Sequence, residues 1–279
     1  MAEITAADVS KLRQMTDAGL MDCKKALQES HGDLETAVDI LRKKGAASAA
    51  KKAGRSANEG LIIQSIQPGA RAGILLEVNC ETDFVARNEQ FLEFCQDVAK
   101  TLLTDPKADL EAKRTAAVAK LGENIQISRH HILEVNGNGM VAAYIHTGGK
   151  VGVLVEVGAG KESTIDNGEF KQLVKDTTLQ IAAGHPYAVS REQIKESVIE
   201  KEKEIARDQA QGKPPQAVEK IVQGKLEKFY QTYCLVDQGF VKRNSEVTVK
   251  EHIAEVSKKL GDEITVRQFV RFQVGETAE

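Results

Sequence analysis

Gly73-Ile74-Leu75-Leu76-Glu77-Val78 and Gly152-Val153-Leu154-Val155-Glu156-Val157 read as one buried strand written twice, and that likeness decides the fold. The two runs lie 79 residues apart, as do Gly60 and Gly139, Gly69 and Gly148, and Phe91 and Phe170. Gly139-Met140-Val141 echoes Gly60-Leu61-Ile62, and Leu173 echoes Phe94. A constant offset across hairpin, strand and helix marks a tandem duplication. In the first copy, residues 61–66, the turn Gln67-Pro68-Gly69-Ala70 and residues 72–78 predict a β-hairpin. A helix over 89–103 follows, with Phe91, Leu92, Phe94, Cys95, Val98 and Leu102 on its apolar side. A second helix over 109–121 and a strand over 125–135 close the unit, and the strand 264–274 is the counterpart of 125–135.

Outward from this core, the N-terminal segment predicts three short helices. Thr5-Ala6-Ala7-Asp8 opens the first, with Val9, Leu12 and Met15 on one face, and Thr16-Asp17-Ala18-Gly19 breaks it. The second spans about 20–30, with Cys23, Ala26 and Leu27 inward, and His31-Gly32 ends it. Asp33 caps the third, which carries Leu34, Ala37, Val38 and Leu41 and is expected to stop at Gly45. Residues 46–59 are small, polar and basic and read as a linker, part helical, with a nucleic-acid tail as the alternative. Inside the second copy, Ser190-Arg191-Glu192-Gln193 reads as a capping box before a charged helix to about 211. Gly212-Lys213-Pro214-Pro215 turns the chain into a further helix over 216–229. The stripe Ile194, Val198, Ile205 is thin, so the pair is expected to project as a hairpin, either to meet a partner or a second copy, or as a solvated decoration. The predicted class is α+β: a three-helix bundle and linker over 1–54, a core subdomain over 55–139, and a second over 140–279 that includes the hairpin at about 188–232.

Between strand and helix of the first copy stands Thr82-Asp83-Phe84-Val85-Ala86-Arg87-Asn88. This corner supports two readings. In one, Thr82 or Asp83 caps a helix and Phe84 or Val85 folds back as a staple. In the other, Phe84 is an aromatic anchor beside a charge, aimed at a partner. In the second copy Asp83 falls on Glu162 and Phe84 on Ser163. The scaffold is copied and the Asp-Phe pair is not, which weighs toward the partner; plain divergence of the second corner is the alternative.

Composition narrows the function. The chain has 279 residues, a formal net charge of −3, 4% aromatics and no Trp, so it lacks both a global basic field and the stacking platforms of a single-strand binder. Cys23, Cys80, Cys95 and Cys234 form no C-x-x-C, and no run is long and apolar enough for a bilayer; the chain is read as cytoplasmic. His130 and His131 are neighbours on a strand and point to opposite faces, so they cannot share a metal. Thr147-Gly148-Gly149-Lys150 reads as a hairpin turn, because a phosphate loop needs a further upstream Gly, a Ser or Thr after the Lys, and a helix to follow. Neither catalysis, nor a cofactor, nor a bound metal is expected.

Two longer motifs add a resemblance. Leu12-Arg13-x-x-Thr16-x-Ala18-Gly19-x-Met21-Asp22-Cys23-Lys24-Lys25-Ala26-Leu27 and Glu77-Val78-Asn79-Cys80-Glu81-Thr82-Asp83-Phe84-Val85-Ala86-Arg87-Asn88 resemble the bacterial translation elongation factor Ts family. The resemblance implies guanine-nucleotide exchange on the GTPase elongation factor Tu, with no direct nucleotide binding and no membrane. It implies a bundle similar to ubiquitin-associated domains and a hairpin used in homodimer formation. It assigns Thr82, Asp83, Phe84 and Val85 to dislodging the GTPase's magnesium, and Arg13, Leu20, Met21 and Lys24 to docking of the bundle. Gln180 stands where many relatives have His, and the sequence as given ends without the C-terminal helix that some relatives add. The competing class is an RNA- or ribosome-associated adaptor, whose binding would weaken steeply with salt.

Overall fold

The computed structural model describes residues 4–16 and 18–276. Residues 1–3, Asp17 in the expected break after the first helix, and 277–279 lie outside the described residues. Helices α1 (Ala6–Thr16), α2 (Leu20–Glu29) and α3 (Leu34–Lys52) form the N-terminal bundle. Its starts are chemical. Thr5 and Asp8 cap each other, Asp8 Oδ2 accepting from Thr5 N at 3.0 Å and Thr5 Oγ1 from Asp8 N at 3.2 Å. Asp33 accepts from Thr36 N at 2.7 Å. Val9, Leu12, Cys23, Ala26, Leu27 and Ala37 make the small core. Met15 does not join it and is exposed.

Gly45 does not stop α3. The helix continues through the stretch expected to be a linker, because its small residues allow close packing on a later helix. A Cβ at Gly45 would sit 3.6 Å from both Ala119 and Thr115, and Ala49 is buried in the core of the first copy. Small residues suit a tight helix crossing as well as they suit a flexible tether.

The first copy contains β1 (Glu59–Ile66), β2 (Ala72–Cys80), α4 (Asp83–Ala86), α5 (Glu89–Thr104), α6 (Glu111–Leu121) and β3 (Gln126–Glu134). The second contains β4 (Gly139–Ile145), β5 (Val151–Ala159), α7 (Glu162–Ile165), α8 (Gly168–Gly184), α9 (Glu196–Gln209), α10 (Pro215–Tyr233), α11 (Val249–Leu260) and β6 (Ile264–Gln273). Each copy has one antiparallel sheet, ordered β1-β2-β3 and β4-β5-β6. The fold is therefore mixed α+β.

The central strands read as unbroken apolar runs because both faces of each sheet are covered. On β2, Ile74, Leu76, Val78 and Cys80 face α5 and α6, whereas Leu75 faces the other sheet. On β5, Val153, Val155 and Val157 face α8 and α11, and Leu154 faces the first sheet. The period of two sorts one strand between two cores. The contact between sheets is reciprocal. A side chain at Gly73 would run into Ile66, Val141 and Leu154; one at Gly152 would run into Ile145, Ile62 and Leu75, the same three positions with the copies exchanged. Two copies within one chain thus meet as a symmetric dimer would.

Buried charge follows the same rule. Glu77 pairs with Arg129 at 2.7 Å and accepts from Gly275 N at 3.2 Å; Glu156 pairs with Arg267 at 2.8 Å and accepts from Asn136 N at 3.2 Å. Each carboxylate takes a backbone donor from the segment beyond the other copy's last strand. Burial alone would raise the Glu156 carboxyl, but hydrogen bonds from Arg267, Gln268 and Asn136 outweigh it and hold it below its ordinary value.

Three other expectations change. Ser190-Arg191-Glu192-Gln193 opens a short 3-10 turn rather than α9, and the Gln193 side chain accepts from Val189 N at 2.8 Å. Leu92 is exposed, and so is Ile205 of the expected hairpin stripe. α9 packs on α10, and Arg191 fixes the base of the pair through Glu227 and Asp237, both at 2.9 Å.

Candidate functional site

The corner after β2 is held from four directions. Thr82 is the N-cap of α4, its Oγ1 accepting from Val85 N at 3.3 Å. Glu123, in the turn between α6 and β3, accepts from Glu81 N and Thr82 N at 3.0 Å each, and from Thr82 Oγ1 at 2.6 Å. The Cys80 thiol donates to Thr82 O at 3.2 Å. Burial, with the Glu123 carboxylate adding to it, pushes that thiol up to about 12, so it remains a protonated donor near neutral pH. Val85 and Ala86 pack on the core below, and Asn88 caps α5 by accepting from Gln90 N at 2.8 Å.

Both sequence readings of the corner are therefore present, on different residues. Thr82 is the cap and Val85 turns inward as a staple. Phe84 is neither: it is 82% exposed at the tip of a braced turn. Asp83 beside it reaches Arg87 at 3.1 Å across the surface. Such an exposed pair contributes little, about 0–1 kcal/mol, and is easily exchanged for another partner. A large ring in water on a fixed backbone is a preformed anchor, because burying it recovers apolar area without first ordering a loop.

The corresponding corner of the second copy isolates what is particular to the first. α7 begins after Lys161, a side chain with no acceptor for a cap. Asp262, which stands to β6 as Glu123 stands to β3, accepts from Lys161 N at 3.0 Å and from Thr164 Oγ1 at 2.6 Å. Gly160 occupies the place of Glu81, and a side chain there would crowd the shorter Asp262 carboxylate. Asn167 caps α8 as Asn88 caps α5. The brace is copied; Ser163 stands where Phe84 does.

A second exposed patch lies on the bundle, where Leu20 is 54% and Met21 60% exposed at the start of α2. Arg13, on the last turn of α1, and Lys24 are exposed nearby in sequence. Met15, not expected at the surface, adds to the apolar part. Bundle and corner sit on separate parts of the molecule, and α3 runs from one to the other. Its end is tied to the corner: Asn124 Nδ2 donates to Arg55 O at 2.8 Å, and Glu81 accepts from Asn124 N at 2.7 Å.

Gln180, where the resemblance leads one to expect a His, is 2% exposed. Its amide donates to Gln238 Oε1 at 3.0 Å and Gly239 O at 3.2 Å and accepts from Val241 N at 2.8 Å. All its polar atoms are engaged inside the fold, beneath a cavity of about 410 Å³ that also reaches Tyr144, His146 and Lys242. His130 and His131 are exposed on β3, and among the described residues no cluster of three or more His, Cys, Asp or Glu could hold a metal. Thr147-Gly148-Gly149-Lys150 is the β4–β5 turn, closed by Gly149 N to His146 O at 2.9 Å. Two of the basic residues in and just after α3 are paired, Lys44 with Glu29 at 2.7 Å and Arg55 with Glu81 at 3.4 Å. Among the described residues no helix is long and apolar enough to cross a membrane.

A family model described as "Elongation factor TS" matches residues 81–276, beginning at the corner itself. The chain belongs to the elongation factor Ts family. Proteins named elongation factor Ts support this at full length. That of Symbiobacterium thermophilum is 48% identical over 288 residues, covering 100% of this chain and 94% of the relative. Those of Clostridium novyi and Nostoc punctiforme are each 45% identical, covering 99% and 100% of this chain and 94% and 95% of theirs. Within the elongation factor Ts frame, sequence inspection missed Glu123. The signal was available: Glu123-Asn124-Ile125 and Asp262-Glu263-Ile264 both place a carboxylate two residues before a closing strand.

Proposed function

We propose that this chain is a guanine-nucleotide exchange factor for elongation factor Tu in translation elongation, working in the cytoplasm by binding alone and not as an enzyme. Family membership supports the partner. The observation that carries the mechanism is Phe84, exposed on a corner braced by Glu123, Thr82 and Cys80. In this reading the factor binds Tu·GDP and Asp83 and Phe84 enter beside the nucleotide's magnesium. Thr82 and Val85 hold the corner's shape, and the ring separates the elements that position the ion. Magnesium demands near-ideal octahedral geometry, so small displacements of its ligands weaken it. Its loss leaves the diphosphate charge uncompensated, GDP departs, and the factor stays bound until GTP enters.

Burying one Phe stabilises by roughly 1.5–3 kcal/mol, or about ten- to a hundredfold in an equilibrium. Phe84 therefore supplies one part of the exchange effect. Magnesium loss supplies another, and docking of Arg13, Leu20, Met21 and Lys24 a third. All four are exposed, two apolar and two cationic, and so are free to meet a partner. The bundle over 1–54, similar to ubiquitin-associated domains, docks; the part over 55–139 carries the wedge. The part over 140–279 is a second platform, whose hairpin at about 188–232 projects for self-association. By linkage, GDP weakens the factor's binding to the GTPase by the factor that the chain weakens GDP binding.

The test is release of a fluorescent GDP analogue from elongation factor Tu at millimolar magnesium. Catalytic amounts of this protein are expected to accelerate release; no acceleration with both proteins folded would overturn the proposal.

A further inference from the structure

The exchange reading assigns work to Phe84 but leaves open what points it. Phe84 is exposed, so packing does not orient its ring; the backbone of Thr82 and Asp83 does. α4 has four residues, too few to hold a helical turn by its own hydrogen bonds. The corner's geometry is therefore imposed from outside, and the group that reaches it from farthest in sequence is the Glu123 carboxylate. Oε2 receives two successive backbone N–H groups, of Glu81 and Thr82, and Oε1 receives the hydroxyl of the N-cap Thr82. Carboxylate bonds to backbone N–H are charge-assisted and about twice as strong as neutral ones.

We propose that Glu123 is a positioning residue for nucleotide exchange: its carboxylate fixes the backbone that presents Asp83 and Phe84, and neighbouring Asn124 ties that corner to the end of α3. The proposal rests on the exchange function and adds a residue outside the corner motif. The second copy supports it. Asp262 takes Lys161 N as Glu123 takes Thr82 N, and a hydroxyl from Thr164, at the position of Val85, in place of that of Thr82, although nothing aromatic stands at Ser163. The brace is thus a property of the duplicated fold that the first copy uses to aim a ring. Asn124 extends the effect. Its Nδ2 bond to Arg55 O and its N–H bond to Glu81 make the corner and the chain just after α3, the helix against which α1 and α2 pack, share one turn. Both partner-facing surfaces are then presented in a fixed relation, which lowers the ordering cost of binding.

The geometry also says which substitution preserves the function. Glu123→Gln can turn its oxygen to the two N–H groups and its NH2 to Thr82 Oγ1, keeping every contact without the charge. Glu123→Ala removes them all. Release of fluorescent GDP from the GTPase, at subsaturating factor, is measured for both variants in the wild-type and Phe84→Ala backgrounds. Glu123→Ala is expected to slow exchange about tenfold, the scale of a lost charge-assisted hydrogen bond. Glu123→Gln is expected to restore most of it. In the Phe84→Ala background, Glu123→Ala is expected to change the rate by less than about twofold, because residues acting through one another are not additive. Thr82→Val, which removes the hydroxyl end of the brace, makes the same test if Glu123→Ala fails to fold, again with loss only when Phe84 is present. Wild-type exchange by Glu123→Ala, or an equal loss with and without Phe84, would overturn the inference. Phe84→Ala exchanging at the wild-type rate would instead overturn the exchange mechanism on which it rests.

Discussion

The two copies share a skeleton, and apart from the α9–α10 hairpin inserted in the second they differ most visibly at one exposed turn. β2 and β5 divide their side chains between the same two layers, Gly73 and Gly152 admit each other's neighbours, and Glu77 and Glu156 take backbone donors across the interface. Even the carboxylate brace on the corner is repeated, by Glu123 and Asp262. What is not repeated is Phe84. Features shared by both copies belong to the fold; Phe84 appears once, in water, on a braced backbone, which is why we propose that it answers to a partner. In this way a duplication separates stability from function within a single molecule.

Substitutions at corresponding sites in the two copies put this division to the test. The largest effect is expected at the buried carboxylates. Arg129→Met leaves Glu77 without its cation and should cost about 3–5 kcal/mol, a large share of a domain's stability, measured by denaturant unfolding. Arg267→Met should cost less, because Arg267 is the more exposed of the two, while each carboxylate keeps one side-chain amide donor, Asn79 on Glu77 and Gln268 on Glu156. Next come the glycines that open the copies. Gly60 and Gly139 have φ of 150° and 152°, and a side chain at either would meet the carbonyl of Val78 or Val157. Alanine at each should destabilise by about 1–3 kcal/mol and by similar amounts in the two copies. A marked inequality would show that the copies do not carry equal strain.

The smallest effect concerns acid. His252, on α11, stacks on Phe240 with ring centroids 4.3 Å apart, and burial holds its pKa below the ordinary value. The unfolded chain then binds the proton more readily than the folded one. The contribution of His252 is full above its unfolded value near 6.5 and is lost as pH falls through its folded value. The melting temperature should therefore drop on acidification from neutral pH, and His252→Phe should flatten part of that drop. In the first copy burial, with His130 adding to it, holds His131 below its ordinary value as well, so the drop is shared between the copies and His252→Phe should remove only the second copy's part, a difference that hydrogen exchange can follow site by site.

Much of this was legible in the sequence because duplication leaves a ruler. The 79-residue offset located the hairpins, the central strands and the helices packed on them; which face of each strand meets which layer came only with the structure. The misread places share a physical ambiguity. Gly45 and the alanines after it suit a tether and a close helix crossing equally, and only the presence of α6 selects the second. Ser190 and Gln193 have the spacing of a capping box, but Gln193 is committed to Val189 N and Arg191 to Asp237, so the helix starts later. At the corner, the sequence shows a Thr, an Asp and a Phe, and helix-start chemistry accounts for any of them. That Thr82 is the cap, Val85 the staple and Phe84 the free ring depends on Glu123, about forty residues downstream, which no local pattern connects to it.

Phe84→Ala decides whether the first copy's corner acts as the wedge we propose. The measurement is GDP release from elongation factor Tu, taken beside the melting temperature of the variant and with Ser163→Ala as its counterpart in the other copy. The account predicts exchange slowed about ten- to a hundredfold by Phe84→Ala, no change for Ser163→Ala, and unfolding unchanged in both. Wild-type exchange by Phe84→Ala, or a loss of stability that accounts for the slower rate, would contradict it.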